Sequence, residues 1–446
     1  MVRFSLATLV AISALSVAAP SQQQEKDTDS PNWKSHVKNV VVLVLENRSF
    51  DTFAGGLSYD PKIDGLLNRQ FCQPVNVTNP GDKTTVCAAP TAPNVVPDDP
   101  NHAISGVNLQ LYGTYHPDEK AIAAGTEKAS MNGFLTEQLR AHTKQNISVA
   151  RAAEALNYYA QDHVRVFASM AENFVFFNRW FAAVPGPTNP NRAYLTSGTS
   201  HGHGKNDVSF DMAGLPQLSI FQQLSEKNIS WINYSNTSGF NPDSAFYTWS
   251  VCSGKTETNV KPLAKFYDDA GNGTLPQFSY INPECCSYQS FHPPSPVTDG
   301  EMFIKKVYES LRASPQWNET FFIMVFDEHG GFADHVPPPT NVPAGDNLKY
   351  TEAAPDGKNV TFDFTRLGVR VPALVISPWV GKGVIEEKGQ NRGGEYTHTS
   401  IPAFIEELWG LQTLTPRVAW SSTFEHLITD NFRADTPEKL PASSPF

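Results

Sequence analysis

VVVLVL at residues 40–45 runs without a break into Glu46, Asn47, Arg48, Ser49, Phe50 and Asp51. Far along the chain, FFIMVF at 321–326 passes in the same way into Asp327, Glu328 and His329, then on to Asp334 and His335. A six-residue run of β-branched and aromatic side chains, with no polar alternation, is the pattern of a strand buried on both faces in a parallel sheet. Open α/β sheets bind their ligands beyond the carboxyl ends of such strands. Two remote segments that bring Glu-Asn and Asp-Glu to one sheet edge predict a site for one divalent metal ion. Carboxylate and amide oxygens suit Mg2+, Ca2+ or Mn2+, and neighbouring histidines admit Zn2+. Either cluster alone reads as an ordinary loop cap; the pair, with His329, Asp334 and His335 adjacent, reads as a metal centre.

Outward from these runs, helical patterns fall at 131–142, 148–157 and 162–173, and VFFNRW at 175–180 reads as a strand. A helix at 220–224 leads into a strand at 230–234; a strand at 277–281 precedes a helix at 299–311. A late strand (371–376) and a late helix (400–408) close the series. Alternating strands and helices predict an α/β sandwich with a mostly parallel central sheet. No repeat or linker divides the chain, so residues 20–446 read as a single catalytic domain.

Arg3, the apolar stretch 6–17 and the small residues Ala18 and Ala19 form a secretory signal pattern with cleavage near Ala19, too short for an ordinary membrane span. The expectation is a secreted, extracellular protein with no stable membrane anchor. A net charge of −11 argues against a nucleic-acid surface, which needs a basic stripe. Of the cysteines, Cys72 with Cys87 would staple a Pro- and Asn-rich loop, and Cys252 would pair with Cys285 or Cys286, leaving one thiol over. Sequons at Asn76, Asn146, Asn228, Asn233, Asn236, Asn272, Asn318 and Asn359 fit a glycoprotein. A further sequon at Asn47 is expected to stay bare, since a glycan there would fill the site.

VPGPTNPNR at 184–192 supplies a second constellation. Its prolines block helix up to Thr188, while Pro190 suits a first helical turn. Thr188 is thereby placed at a helix N-terminus, where amides and dipole favour an anion. A hydroxyl held there beside a divalent cation is a candidate nucleophile, and Arg192, one turn on, a candidate fork for phosphate oxygens. Among the histidines, His292 in HPPSP stands out because prolines fix its loop just ahead of a helix. His102 in DDPNH and His398 in YTHTS carry weaker signals; His201 and His203 read equally as ligands or as loop residues.

ENRSFD, GPTNPNR, HPPSPVTDGE and FDEHGGFADHVPPP, in that order, resemble the phosphoesterase family of bacterial non-haemolytic phospholipases C and secreted acid phosphatases. The resemblance implies an alkaline-phosphatase-like α/β/α sandwich with one divalent metal, held by Glu46, Asn47, Asp327 and Glu328 with Thr188 as a further contact. It also implies phosphate-binding histidines at His292 and His102. Thr188 to Arg192 is similar to the C-x-P-x-R signature of sulfatases, but Thr cannot become formylglycine, so phosphate esters are favoured over sulfate. The tail after Leu408 is short and lacks the extra C-terminal β-domains of the larger phospholipases. On that ground the expected activity is acid phosphatase, acting on a phosphate ester through a phosphothreonine at Thr188. Phospholipase C, and a catalytically silent secreted binding glycoprotein, are the alternatives.

Overall fold

The two apolar runs lie side by side. The computed structural model describes residues 32–236, 241–283 and 289–446. In it β1 (Asn39–Leu45) pairs in parallel with the strand Thr320–Phe326, in a register that sets Leu45 beside Phe326. Every residue of both strands is buried. Each Val, Leu or Phe taken from water in this way contributes about 1.5–3 kcal/mol. With both faces covered, nothing selects for polar alternation, which is why the runs read as continuous.

The other strands of this sheet are β2 (Val175–Phe177), β3 (Trp231–Ser235), β4 (Val260–Lys261), β5 (Phe278–Asn282), β6 (the 320–326 run), β7 (Ala373–Ile376) and β8 (Val384–Glu386). Their spatial order is β8-β2-β7-β6-β1-β5-β3-β4. All pairings are parallel except those of β7, which runs antiparallel to both β2 and β6. The expected mostly parallel sheet is therefore present, with one reversed strand inside it.

The helices that matter here are α1 (Phe50–Ala54), α2 (Ile104–Tyr112), α3 (Arg165–Asn173), α4 (Thr188–Ser197), α5 (Ile220–Glu226), α6 (Leu263–Asn272), α7 (Val297–Arg312) and α8 (Ser400–Trp409). Six of them pack in two groups, one in which α7 touches both α3 and α6 and one in which α4 touches both α5 and α8, and both groups touch the sheet. Glu301 of α7 ties the first group together. Its carboxylate accepts from the amides of Val166 and Phe167 at 2.7 and 3.0 Å, capping a helix that has no side-chain cap of its own.

Several expectations change in detail. The 175–180 strand is two short ones, since Trp180–Phe181 leaves the sheet to pair with Tyr396–Thr397. The helix expected over 148–157 is a single turn, Val149–Ala152, followed by a 3-10 turn. Cys72 and Cys87 form the expected disulfide. Cys252 is exposed and free among the described residues; Cys285, Cys286 and the signal segment 1–19 lie outside them. Asn233 is fully buried and donates to Tyr280 O and Asn282 Oδ1, so its sequon is closed to a glycan. No helix among the described residues is long and apolar enough to cross a membrane.

Candidate active site

Because β1 and β6 end in register, Glu46 and Asp327 leave the sheet together, and the amide of Asp327 donates to Leu45 O at 2.9 Å. Asn47 then takes a left-handed backbone (φ 57°), a conformation that Asn tolerates better than most residues. This turns the chain so that Asn47 N reaches Asp327 Oδ1 at 3.3 Å and Arg48 N reaches Glu328 O at 3.2 Å. Gly330 and Gly331 let a third segment close in. A Cβ on Gly330 would lie 2.6 Å from Asn47 O, and one on Gly331 would lie 2.7 Å from Asn101 O. Both glycines also have positive φ, so the GG pair allows residues 46–48, 99–102 and 327–331 to converge.

Thr188 is the first residue of α4, as its prolines require, and is half-buried. The loop before it is pinned by Asn191. The side-chain amide of Asn191 donates to the carbonyls of Val184, Gly186 and Pro187, while its oxygen accepts from Val184 N. One turn along the same helix, Arg192 corrects an expectation. Its guanidinium faces carboxylates rather than a phosphate position: Nε donates to Asp327 Oδ2 at 2.9 Å, Nη2 to Glu46 Oε1 at 3.2 Å and Nη1 to Asp243 Oδ2 at 3.4 Å. With three acids on one buried fork, Arg192 organises the acid set. It also fastens the Thr188 helix to the ends of β1 and β6.

Two histidines meet this set. His102 has Nδ1 at 2.7 Å from Pro100 O and Nε2 at 3.6 Å from Glu328 Oε1. Burial opposes its charged form, yet Glu328 and Asp99 carry its pKa up to about 9. His292 has Nδ1 at 2.6 Å from Pro293 O and Nε2 at 3.8 Å from Asp99 Oδ2. Both ring nitrogens of each histidine therefore face acceptors. Asp99 also accepts from Asn47 Nδ2 at 3.3 Å, joining the 98–102 loop to the first cluster. His398 serves a different purpose: Trp180 donates to its Nδ1, so Nε2 carries the proton and donates to Asp327 O. Burial holds its pKa down to about 4, and this neutral ring fixes the Asp327 backbone. His203 pairs with Asp207 and His329 with Gln110, each as local structure.

The acid set fits a cation. Burial pushes the carboxyls of Glu46, Asp327 and Glu328 up, against the pull of Arg192 on the first two and of His102 on the third. Glu46 Oε2, Asn47 Oδ1 and Glu328 Oε1 are buried and, among the described residues, have no hydrogen-bond partner. Such orphaned oxygens are costly unless something binds them, and all three come from the residues expected to hold the metal. Asp243 and Asp99 belong to the same neighbourhood and were not singled out by sequence.

A second cluster is a correction. Asp51, Asp334 and His335 bring ligand atoms within 4.8 Å of one another, a grouping that could hold a metal and that shares no residue with the Glu46 set. Arg370 stands among them: its Nε donates to Asp334 Oδ1 at 3.0 Å and its Nη2 to Asp51 Oδ1 at 3.2 Å. Asp51 Oδ2 accepts from His335, and Asp334 Oδ2 from Asp51 N. Each of these carboxylate oxygens already has a partner, so this cluster reads as an internal ion-pair network.

The fold is mixed α/β, with a mostly parallel central sheet whose two middle strands end in a cluster of buried acids. The chain belongs to the phosphoesterase family, whose model matches residues 37–412. It is 37% identical to non-specific phospholipase C6 of Arabidopsis thaliana, over 93% of this chain and 77% of that protein. Non-hemolytic phospholipase C of Burkholderia pseudomallei is 25% identical, over 83% of this chain and 55% of that protein. A solved protein of the alkaline phosphatase superfamily from Vibrio parahaemolyticus overlaps 58% of this chain and 64% of its own, at 12% identity and a TM-score of 0.35.

Proposed function

We propose that the chain is a metal-dependent phosphodiesterase of the phospholipase C type, which separates a phosphorylated head group from a lipid alcohol. The observation that carries the chemistry is the trio of orphaned buried oxygens, Glu46 Oε2, Asn47 Oδ1 and Glu328 Oε1, beside the helix that begins at Thr188. The substrate class rests on relatives: proteins aligned across more than nine-tenths of this chain carry the phospholipase C name. That supports diester cleavage over the acid-phosphatase reading, which rested on the short tail.

Glu46, Asn47, Asp327 and Glu328 would hold one divalent ion, with Thr188 as a further contact; when bound, it supplies Lewis-acid stabilisation of the phosphoryl oxygens. Thr188 Oγ1 gives its proton to solvent water and bonds to phosphorus, and the bond from phosphorus to the lipid oxygen breaks. His292, donating from Nε2, gives the departing alkoxide its proton. Water then attacks phosphorus and gives a proton back to His292, the bond to Oγ1 breaks, and Oγ1 takes a proton from solvent to restore the Thr188 hydroxyl. Arg192 keeps Glu46 and Asp327 in place throughout, and the helix N-terminus at Thr188 favours the anionic phosphoryl group. Export and glycosylation form part of this proposal, supported by the Cys72–Cys87 disulfide and by exposed sequon residues such as Asn146 and Asn318.

The test is steady-state hydrolysis of p-nitrophenyl phosphorylcholine against p-nitrophenyl phosphate by metal-replete protein. A preference for the diester is expected; a preference for the monoester would return the reading to a phosphatase. No turnover of either, with metal bound, would leave the silent binding glycoprotein.

A further inference from the structure

Arg48 is the least explained residue of the site. Its side chain is completely buried, and among the described residues Nε, Nη1 and Nη2 all lack a hydrogen-bond partner. The guanidinium lies 4.5 Å from the centre of the Phe332 ring, the Arg48 amide donates to Glu328 O at 3.2 Å, and the carboxylates of Asp99 and Glu328 favour the charged form that burial opposes. Arg192, by contrast, spends its donors on three carboxylates. A methionine would cover Phe332 equally well without the heavy desolvation cost of a buried charge. What Arg48 adds is therefore charge and not hydrogen-bond geometry.

The charge count gives that a meaning. Counting only the fully buried charges, four carboxylates, Glu46, Asp243, Asp327 and Glu328, surround the site and two guanidinia, Arg192 and Arg48, offset them, while Asp99 is open to solvent and stands opposite His292. Two negative charges are left over, the complement of one divalent ion. From this buried, unpartnered guanidinium beside Glu328 we infer that Arg48 is a positioning residue that sets the valence of the metal site, tuning it to a divalent cation. The inference rests on the metal site proposed above.

The metal-stripped full chain is titrated calorimetrically with Mn2+ and with Tb3+, as wild type, Arg48→Met and Arg48→Lys. In Arg48→Met the preference for Tb3+ over Mn2+ rises by about tenfold or more, because each unit of ion charge then meets one more unit of site charge. Arg48→Lys keeps the wild-type ratio. An unchanged ratio in Arg48→Met, or equal weakening toward both ions, would assign Arg48 to packing and overturn the inference. Should Arg48→Met not fold, Arg48→Gln carries the same comparison. Loss of fold in both, with Arg48→Lys folded, would assign the charge to folding and also overturn it. A wild-type chain that binds neither ion sinks the metal site itself and this inference with it, a failure distinct from binding with an unaltered ratio.

Discussion

Replacing Arg192 with Met removes the one group that touches Glu46, Asp243 and Asp327 together. All four side chains are nearly inaccessible, so the acids lose their shared counter-charge without gaining water. Breaking a buried pair by deleting one partner costs about 3–5 kcal/mol. For the roughly 415 residues from Asn32 to Phe446, an unfolding entropy near 2.1 cal/mol/K per residue gives about 0.9 kcal/mol/K, so the midpoint should fall by about 3–6 °C. Glu46 and Asp327 already have raised pKa values with Arg192 present, through burial, and its loss raises them further. A carboxyl whose folded pKa exceeds its unfolded value contributes stability below the unfolded pKa, and that contribution is lost as pH rises through the folded value. The deficit of Arg192→Met should accordingly be full at pH 8 and less than half as large at pH 5. Thermal unfolding of the metal-stripped chain, followed by circular dichroism at both pH values, measures it. An equal deficit at both pH values would mean that Arg192 acts through packing, and an unchanged midpoint would refute the shared-counter-charge account.

Other outcomes follow from the same geometry. Thr188→Ala should abolish turnover while leaving divalent-metal affinity within about threefold of wild type by calorimetry, since the carboxylates and Asn47 carry most of the binding. Glu301 has its pKa raised to about 8 because burial outweighs two backbone hydrogen bonds. Its contribution is present below the ordinary carboxyl range and lost as pH rises through about 8, so Glu301→Gln should flatten the fall in melting temperature between pH 5 and 8. Cys72→Ser opens a loop of sequence separation 15; a chemical denaturation series should show a loss of about 3 kcal/mol.

The fold was legible where burial is uniform. The 40–45 and 321–326 runs announced β1 and β6 because both of their faces are covered, and their acidic ends gather where the two strands leave the sheet. The same uniformity hid the direction of β7: a fully buried ALVI reads alike whether parallel or antiparallel. Helix α2 went unseen for a related reason, since eight of its nine residues are buried, Asn108 and Gln110 among them, so no amphipathic period marks it. Sequence proximity also misled. Asp334 and His335 follow Glu328 closely, but Arg370, far along the chain, draws them and Asp51 into a separate network. Asp243 carried no signal, being a lone acid in a loop that tertiary packing alone brings to Arg192. Asp99 stood beside the flagged His102, and the DDPNH motif could have named it.

The central claim is that Glu46, Asn47, Asp327 and Glu328, rather than Asp51, Asp334 and His335, hold one metal ion that hydrolysis needs. The most direct measurement is metal stoichiometry together with turnover of p-nitrophenyl phosphorylcholine, in wild type, Glu328→Gln and Asp334→Asn. The account predicts one ion per wild-type chain, loss of both ion and turnover in Glu328→Gln, and retention of the ion in Asp334→Asn. Retention of the ion in Glu328→Gln with its loss in Asp334→Asn, or full wild-type turnover in the presence of chelator, would contradict it.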